Sequence, residues 1–234
     1  MKTIVEFRNV VKAYGTGEHR LLAVDGISFA IDEGEFVVIL GPSGAGKSTL
    51  LNLLGGMDFA TSGEIVIGGQ NIVGYNDDKL TEYRAENVGF VFQFYNLIPT
   101  LTALENVALT KSVVKNALDA RDILESVGLG DHFNQFPSQL SGGEQQRVSI
   151  ARAICKNPAM LLCDEPTGAL DSETGVVILS LLQQMSRERN KTVIIVTHNA
   201  SLAQAADKVI KIKNGIIREI IQNEAPLAVS EVNW

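Results

Sequence analysis

The sequence predicts an α/β fold: a mainly parallel sheet, an antiparallel β portion and an inserted helical lobe. Three observations predict it. EFVVIL (35–40), AMLLCDE (159–165) and TVIIVTH (192–198) are too apolar to be half-exposed strands, so each is read as buried on both faces. Helical stretches separate them, the arrangement that parallel strands require. Between Ile98 and Pro158 the apolar residues recur every three or four positions, in TALENVAL, KNALDARDILESVGL and SGGEQQRVSIARAI.

Residues 1–40 read as short strands with turns: VEFRNV, then LLAVDGISFAI, then EFVVIL. Asp32-Glu33-Gly34 between two of these runs suggests a hairpin or tight turn. VIKIKNGIIREII (209–221) is two alternating runs around Asn214-Gly215, a two-residue hairpin signal. The tail EAPLAVSEVNW follows, with Trp234 as a packing residue or part of a frayed end.

At 234 residues the length suits one large domain with an insertion, or two small ones. The 27 Asp and Glu outnumber the 20 Lys and Arg, for a net charge of -7, which gives no support for a nucleic-acid partner. The start MKTIVEFRNV lacks the pattern of a signal peptide. No apolar run approaches the roughly 18 residues of a membrane span, so any action at a membrane needs another chain to supply that part. Cys155 and Cys163 have neither metal-ligand nor disulfide-framework spacing and read as buried thiols.

Gly41, Pro42, Ser43, Gly44, Ala45, Gly46, Lys47 and Ser48 fit G-x-x-x-x-G-K-[ST] between an apolar strand and an apolar helix start. The chemistry is anion binding. Glycines let the loop turn its N–H groups inward, and the helix start adds positive potential. Lys47 brings a full charge to terminal phosphates, and the Ser48 hydroxyl is placed to ligate Mg²⁺.

Asp164 and Glu165 end an apolar strand, at the sheet edge where ligands gather. Adjacent strand residues point opposite ways, so the two acids divide the work: one for a metal shell, one to polarise water. Ser141 with Glu144 three residues on is a capping box, hence a good helix start. Gly142 and Gly143 also offer bare N–H groups, a second anion site suited to another chain's nucleotide. His198 closes the strand TVIIVTH at the same sheet edge, as a structural histidine or as one that contacts phosphate or orients water. His19 and His132 carry no assignment.

Together these residues resemble the ATPase domain of ABC (ATP-binding cassette) transporters over nearly the whole chain. Residues 41–48 look like Walker A, LSGGEQQR (140–147) like the signature, and LLCDEP (161–166) like Walker B with Glu165 as catalytic acid. Ala169-Leu170-Asp171 looks like the D-loop, Gln93 like the Q-loop glutamine and His198 like the switch histidine. Tyr14 resembles the aromatic that stacks on adenine. No catalytic position departs from the pattern.

The resemblance implies a P-loop NTPase core with a mainly parallel sheet, an antiparallel β subdomain and an inserted helical subdomain. It divides the chain into 1–93 with 159–222, a helical subdomain at 94–158 and a tail at 223–234. It implies an ATPase that takes ATP and Mg²⁺. Glu165 and His198 would be catalytic, with Ser48, Gln93 and Asp164 near the metal. Tyr14, residues 41–48, Thr49 and Gln93 would hold the nucleotide, with Ser141, Gly142, Gly143 and Asp171. Two copies would sandwich ATP, and a membrane permease would be energised at the cytoplasmic face of the cell membrane.

NLIPTLTALENV (96–107) resembles the macrolide-export, lipoprotein-release and cell-division branch. In that reading the segment from Phe92 to Leu101 forms a groove for a permease helix; the competing reading of its apolar residues is core packing. Soluble ABC proteins and chromosome-maintenance ATPases share the signature. The absence of a second cassette tells against translation factors, and the absence of long heptads against chromosome maintenance. An iron–sulfur assembly ATPase is the alternative that survives.

Overall fold

A computed structural model of the chain describes residues 2–234. The first half builds β1 (Thr3–Tyr14), β2 (Leu21–Asp32), β3 (Phe36–Leu40), α1 (Lys47–Leu54), β4 (Ser62–Ile67), β5 (Gln70–Asn71), α2 (Asp77–Asn87) and β6 (Val88–Phe92). Then follow α3 (Ala103–Ala108), α4 (Ala120–Ser126), α5 (Gly142–Cys155), β7 (Met160–Asp164), α6 (Ser172–Arg189), β8 (Thr192–Thr197), β9 (Lys208–Lys213) and β10 (Ile216–Gln222).

Two sheets result. The smaller is antiparallel, in the order β2-β1-β4-β5. The larger runs β10-β9-β3-β8-β7-β6, parallel throughout except for β10 at its edge. The apolar runs have a direct cause. Alternate residues of β3 serve two cores: Phe36, Val38 and Leu40 join the helical side, while Val37 and Ile39 join α1 and the antiparallel sheet. A strand covered on both faces has no solvent-facing positions to fill with polar residues.

Asp32 to Gly34 is a tight turn, but not a hairpin. β2 pairs with β1, whereas β3 enters the other sheet beside β8 and β9. The Asn214-Gly215 turn does join a hairpin, and both residues have positive φ, 53° and 75°. That geometry suits the twist of the flanking strands and favours these two residue types. Four elements escaped the sequence reading: β4, β5, α2 and β6. Toward its end the tail packs: Val229 and Val232 join the helical-side core, and Trp234 Nε1 donates to Val229 O at 3.3 Å. Cys155 and Cys163 are buried free thiols.

Candidate functional site

The loop between β3 and α1 makes one wall of a cavity of about 1170 Å³. Ser43, Gly44, Ala45, Gly46, Lys47, Ser48 and Thr49 line it. Gly46 turns at φ 97°, where a Cβ would also collide with the carbonyl of Ala23. It is the N-cap of α1 and offers no side chain to cap it; the first turn carries no acid. The helix therefore presents its unpaired N–H groups to the cavity. Lys47 Nζ turns back onto the loop, donating to Gly41 O at 2.7 Å and Pro42 O at 3.1 Å. Gly41 and Pro42 thus hold the lysine through their carbonyls. The turn at Gly215 buttresses the loop, its N–H donating to Ala45 O at 3.0 Å.

Asp164, Glu165 and His198 line the facing wall. Ser48 Oγ donates to Asp164 Oδ1 at 3.3 Å. Burial pushes the Asp164 carboxyl above its ordinary pKa, and the charge of Glu165 adds to this; the Ser48 bond and Lys47 act the other way. A cation beside Asp164 would relieve that penalty. A hydroxyl and a carboxylate are hard oxygen donors, the kind Mg²⁺ takes.

Glu165, one residue past the end of β7, is tied separately. Thr197 Oγ1 donates to its Oε2 at 2.9 Å, and His198 Nδ1 lies 2.9 Å from its Oε1. A carboxylate can accept from Nδ1 in the tautomer that carries the ring proton there. Thr197 was not singled out from the sequence; its signal was a hydroxyl closing an otherwise apolar buried strand. Gln93 lines the same cavity, its amide packed over Gly168.

Tyr14 also lines the cavity, as do Leu21, Leu22 and Ala23. Stacking needs only its ring, yet the hydroxyl is engaged, donating to Asp58 Oδ2 at 2.7 Å. Lys12 covers the ring at 4.7 Å from its centroid and pairs with Asp58. Burial, then the bond to Asp58, raises the phenol pKa.

Ser141, Gly142, Gly143 and Asp171 lie outside this cavity but close to one another. Ser141 caps α5, and Glu144 completes the box by accepting from Ser141 N at 2.7 Å and Oγ at 2.8 Å. Asp171 caps α6 by accepting from Thr174 N and Oγ1. The Thr174 methyl packs so closely on Gly143 that a Cβ there would clash.

The 92–101 segment divides. Phe92 stacks on Phe90 with centroids 5.5 Å apart, and Leu97 packs against the helical-side core. Phe94 and Ile98 are exposed, 72% and 41%. Arg152 fixes the backbone between them, donating to Tyr95 O and Asn96 O.

Residues 24–168 match the family described as ABC transporter. An uncharacterized ABC transporter ATP-binding protein of Mycobacterium tuberculosis is 45% identical over 94% of this chain and 91% of its own length. The macrolide export ATP-binding/permease protein MacB of Rhodopirellula baltica is 41% identical over 95% of this chain, which spans 34% of that protein. An ATP-binding cassette of Methanocaldococcus jannaschii, solved as a dimer in a post-hydrolysis state with ADP and Pi, superposes with a TM-score of 0.86. It is 42% identical and covers 95% of this chain and 100% of its own.

Proposed function

Because this chain belongs to the ABC transporter ATP-binding family, we propose that it binds and hydrolyses ATP to drive a separate membrane permease. The observation that carries the reading is the cavity that sets an uncapped phosphate loop opposite Asp164, Glu165 and His198.

In this reading the α1 start and loop N–H groups receive the phosphates. Lys47 exchanges its bonds to Gly41 and Pro42 for phosphate oxygens. Ser48, Asp164 and Gln93 would hold Mg²⁺, which neutralises charge on the phosphates when bound. Glu165 accepts a proton from the attacking water, while Thr197 and His198 hold its carboxylate in place. His198 leaves its Nε2 free to face the phosphate or the water. Tyr14 stacks on the base.

A second copy completes the site. The clustered 141–143 segment and Asp171 do not line this chain's own cavity, and the dimeric relative with ADP and Pi supports their use in a partner. Likeness to MacB supports a permease of the export or envelope-remodelling kind. Among the described residues no helix is long and apolar enough to cross a membrane, so the subunit would sit peripherally at its cytoplasmic face. Phe94 and Ile98 would meet the permease.

Glu165→Gln tests the reading. It should keep ATP affinity, slow turnover by about 10²–10⁴-fold and give an ATP-dependent dimer in size-exclusion chromatography. Loss of ATP binding equal to the loss of turnover would remove Glu165 from the role of base.

A further inference from the structure

Gln146, one turn into α5, is wholly buried. A buried primary amide is costly unless its N–H groups find acceptors. Gln146 Nε2 finds two backbone carbonyls, Phe92 O at 3.2 Å and Pro166 O at 2.8 Å. Oε1 has no partner among the described residues. The side chain is thus held through its donors alone.

The position of the two carbonyls is what matters. Phe92 ends β6 and immediately precedes Gln93; Pro166 immediately follows Glu165 at the end of β7. The two strands are neighbours, with Phe92 opposite Asp164. Glu165 itself has φ 45°, a left-handed conformation unfavourable for any residue with a Cβ. Such a turn persists when its surroundings over-determine it. Here Glu165 N donates to Val196 O, Glu165 O accepts from Gly168 N, and Gln146 takes the next carbonyl. Pro166 has no N–H, so its carbonyl is that residue's sole backbone hydrogen-bonding group.

We propose that Gln146 is a positioning residue for hydrolysis. One amide sets the backbone that carries both Gln93 and Glu165. It also ties that backbone to the helix whose first turn, at 141–143, would face the second copy's nucleotide. A displacement of α5 would therefore reach Glu165 through a single side chain. The proposal rests on the reading of Glu165 as the base.

Two variants of the full chain test it. Gln146→Met keeps length without donors; Gln146→Asn keeps the amide but falls one methylene short. Both should lower kcat roughly 10–100-fold, the scale of a small misplacement of a catalytic group. Affinity for ATP should stay within about threefold, since nothing that touches nucleotide has changed. In a Glu165→Gln background the Gln146 change should add much less than it costs alone, because most of its effect passes through Glu165. Folded variants with parental kcat would overturn the proposal. So would matched losses of affinity and kcat, or an undiminished effect in the Glu165→Gln background. If neither variant folds, Gln146 is a core residue and the assignment falls. Glu165→Gln alone keeps the two readings apart: near-parental turnover there would defeat the base assignment, whereas a large loss there with normal Gln146 variants defeats only this one.

Discussion

Two helix starts in this protein look alike in sequence and differ in chemistry. Each has glycine at its N-cap or in its first turn, Gly46 for α1 and Gly142 with Gly143 for α5, and each has a hydroxyl residue nearby, Ser48 and Ser141. The α1 start is open: Gly46 cannot cap it, no acid sits in its first turn, and Lys47 adds positive charge. The α5 start is closed, because Ser141 accepts from Glu144 N while the Glu144 carboxylate accepts from Ser141. An open start seats an anion as it stands. A closed one already holds a carboxylate, so a phosphate must approach through the Gly142 and Gly143 N–H groups and against the charge of Glu144.

The largest effect should separate the two starts directly. Lys47→Ala removes the ammonium that bonds the loop and should weaken ATP binding by about 10–10²-fold in the isolated chain. Ser141→Ala should leave that affinity nearly unchanged while abolishing the ATP-dependent dimer, and it should cost the α5 cap about 1 kcal/mol. Titration calorimetry with light scattering reads both. Equal losses of monomer affinity would erase the distinction.

The same contrast, between a group already satisfied and one left open, divides neighbours in the 92–101 segment. Leu97→Glu puts a charge against the helical-side core and should lower Tm by roughly 5–10 °C. Ile98→Glu, on an exposed side chain, should leave Tm and basal ATPase close to parental and abolish stimulation by the permease. A large drop in Tm for Ile98→Glu would withdraw it from the docking surface.

The smallest effect concerns the closed start. Its bonds to Ser141 hold the Glu144 carboxyl below its ordinary pKa. A depressed folded pKa contributes stability above the unfolded value that is lost as pH falls through the folded one. Parent minus Glu144→Gln should therefore show about 0.5–1 kcal/mol at neutral pH, shrinking below the ordinary carboxylate range, in paired denaturant titrations. A difference that does not change with pH would place the capping bond elsewhere.

What the sequence made legible was local. The phosphate loop, the Ser141–Glu144 box and the Asn214-Gly215 turn each lie within a few residues, so spacing alone specifies them. α2 was illegible because only Leu80 and Tyr83 of its residues are buried, too few to set up a period. β6 has five residues, too short to tell from a helical fragment. Thr197 with Glu165, Asp58 with Tyr14 and Gln146 with Phe92 meet across 32, 44 and 54 residues. No pattern within one segment announces a partner that only the tertiary fold supplies. Asp164 and Glu165 make separate contacts, but strand alternation does not decide this: β7 ends at Asp164, and Glu165 lies just beyond it at φ 45°.

The bond from Gly215 to Ala45 bears on how the protein is made. β3, which leads into the phosphate loop, has β8 and β9 as its neighbours, and both lie beyond residue 191. A chain still emerging from the ribosome carries its complete phosphate motif long before β8, β9 and Gly215 are there to brace it. Loop closure over more than 150 residues must come first, and contacts so distant form late. Bracing of the loop by β8, β9 and Gly215 therefore waits until residues beyond 191 have been made.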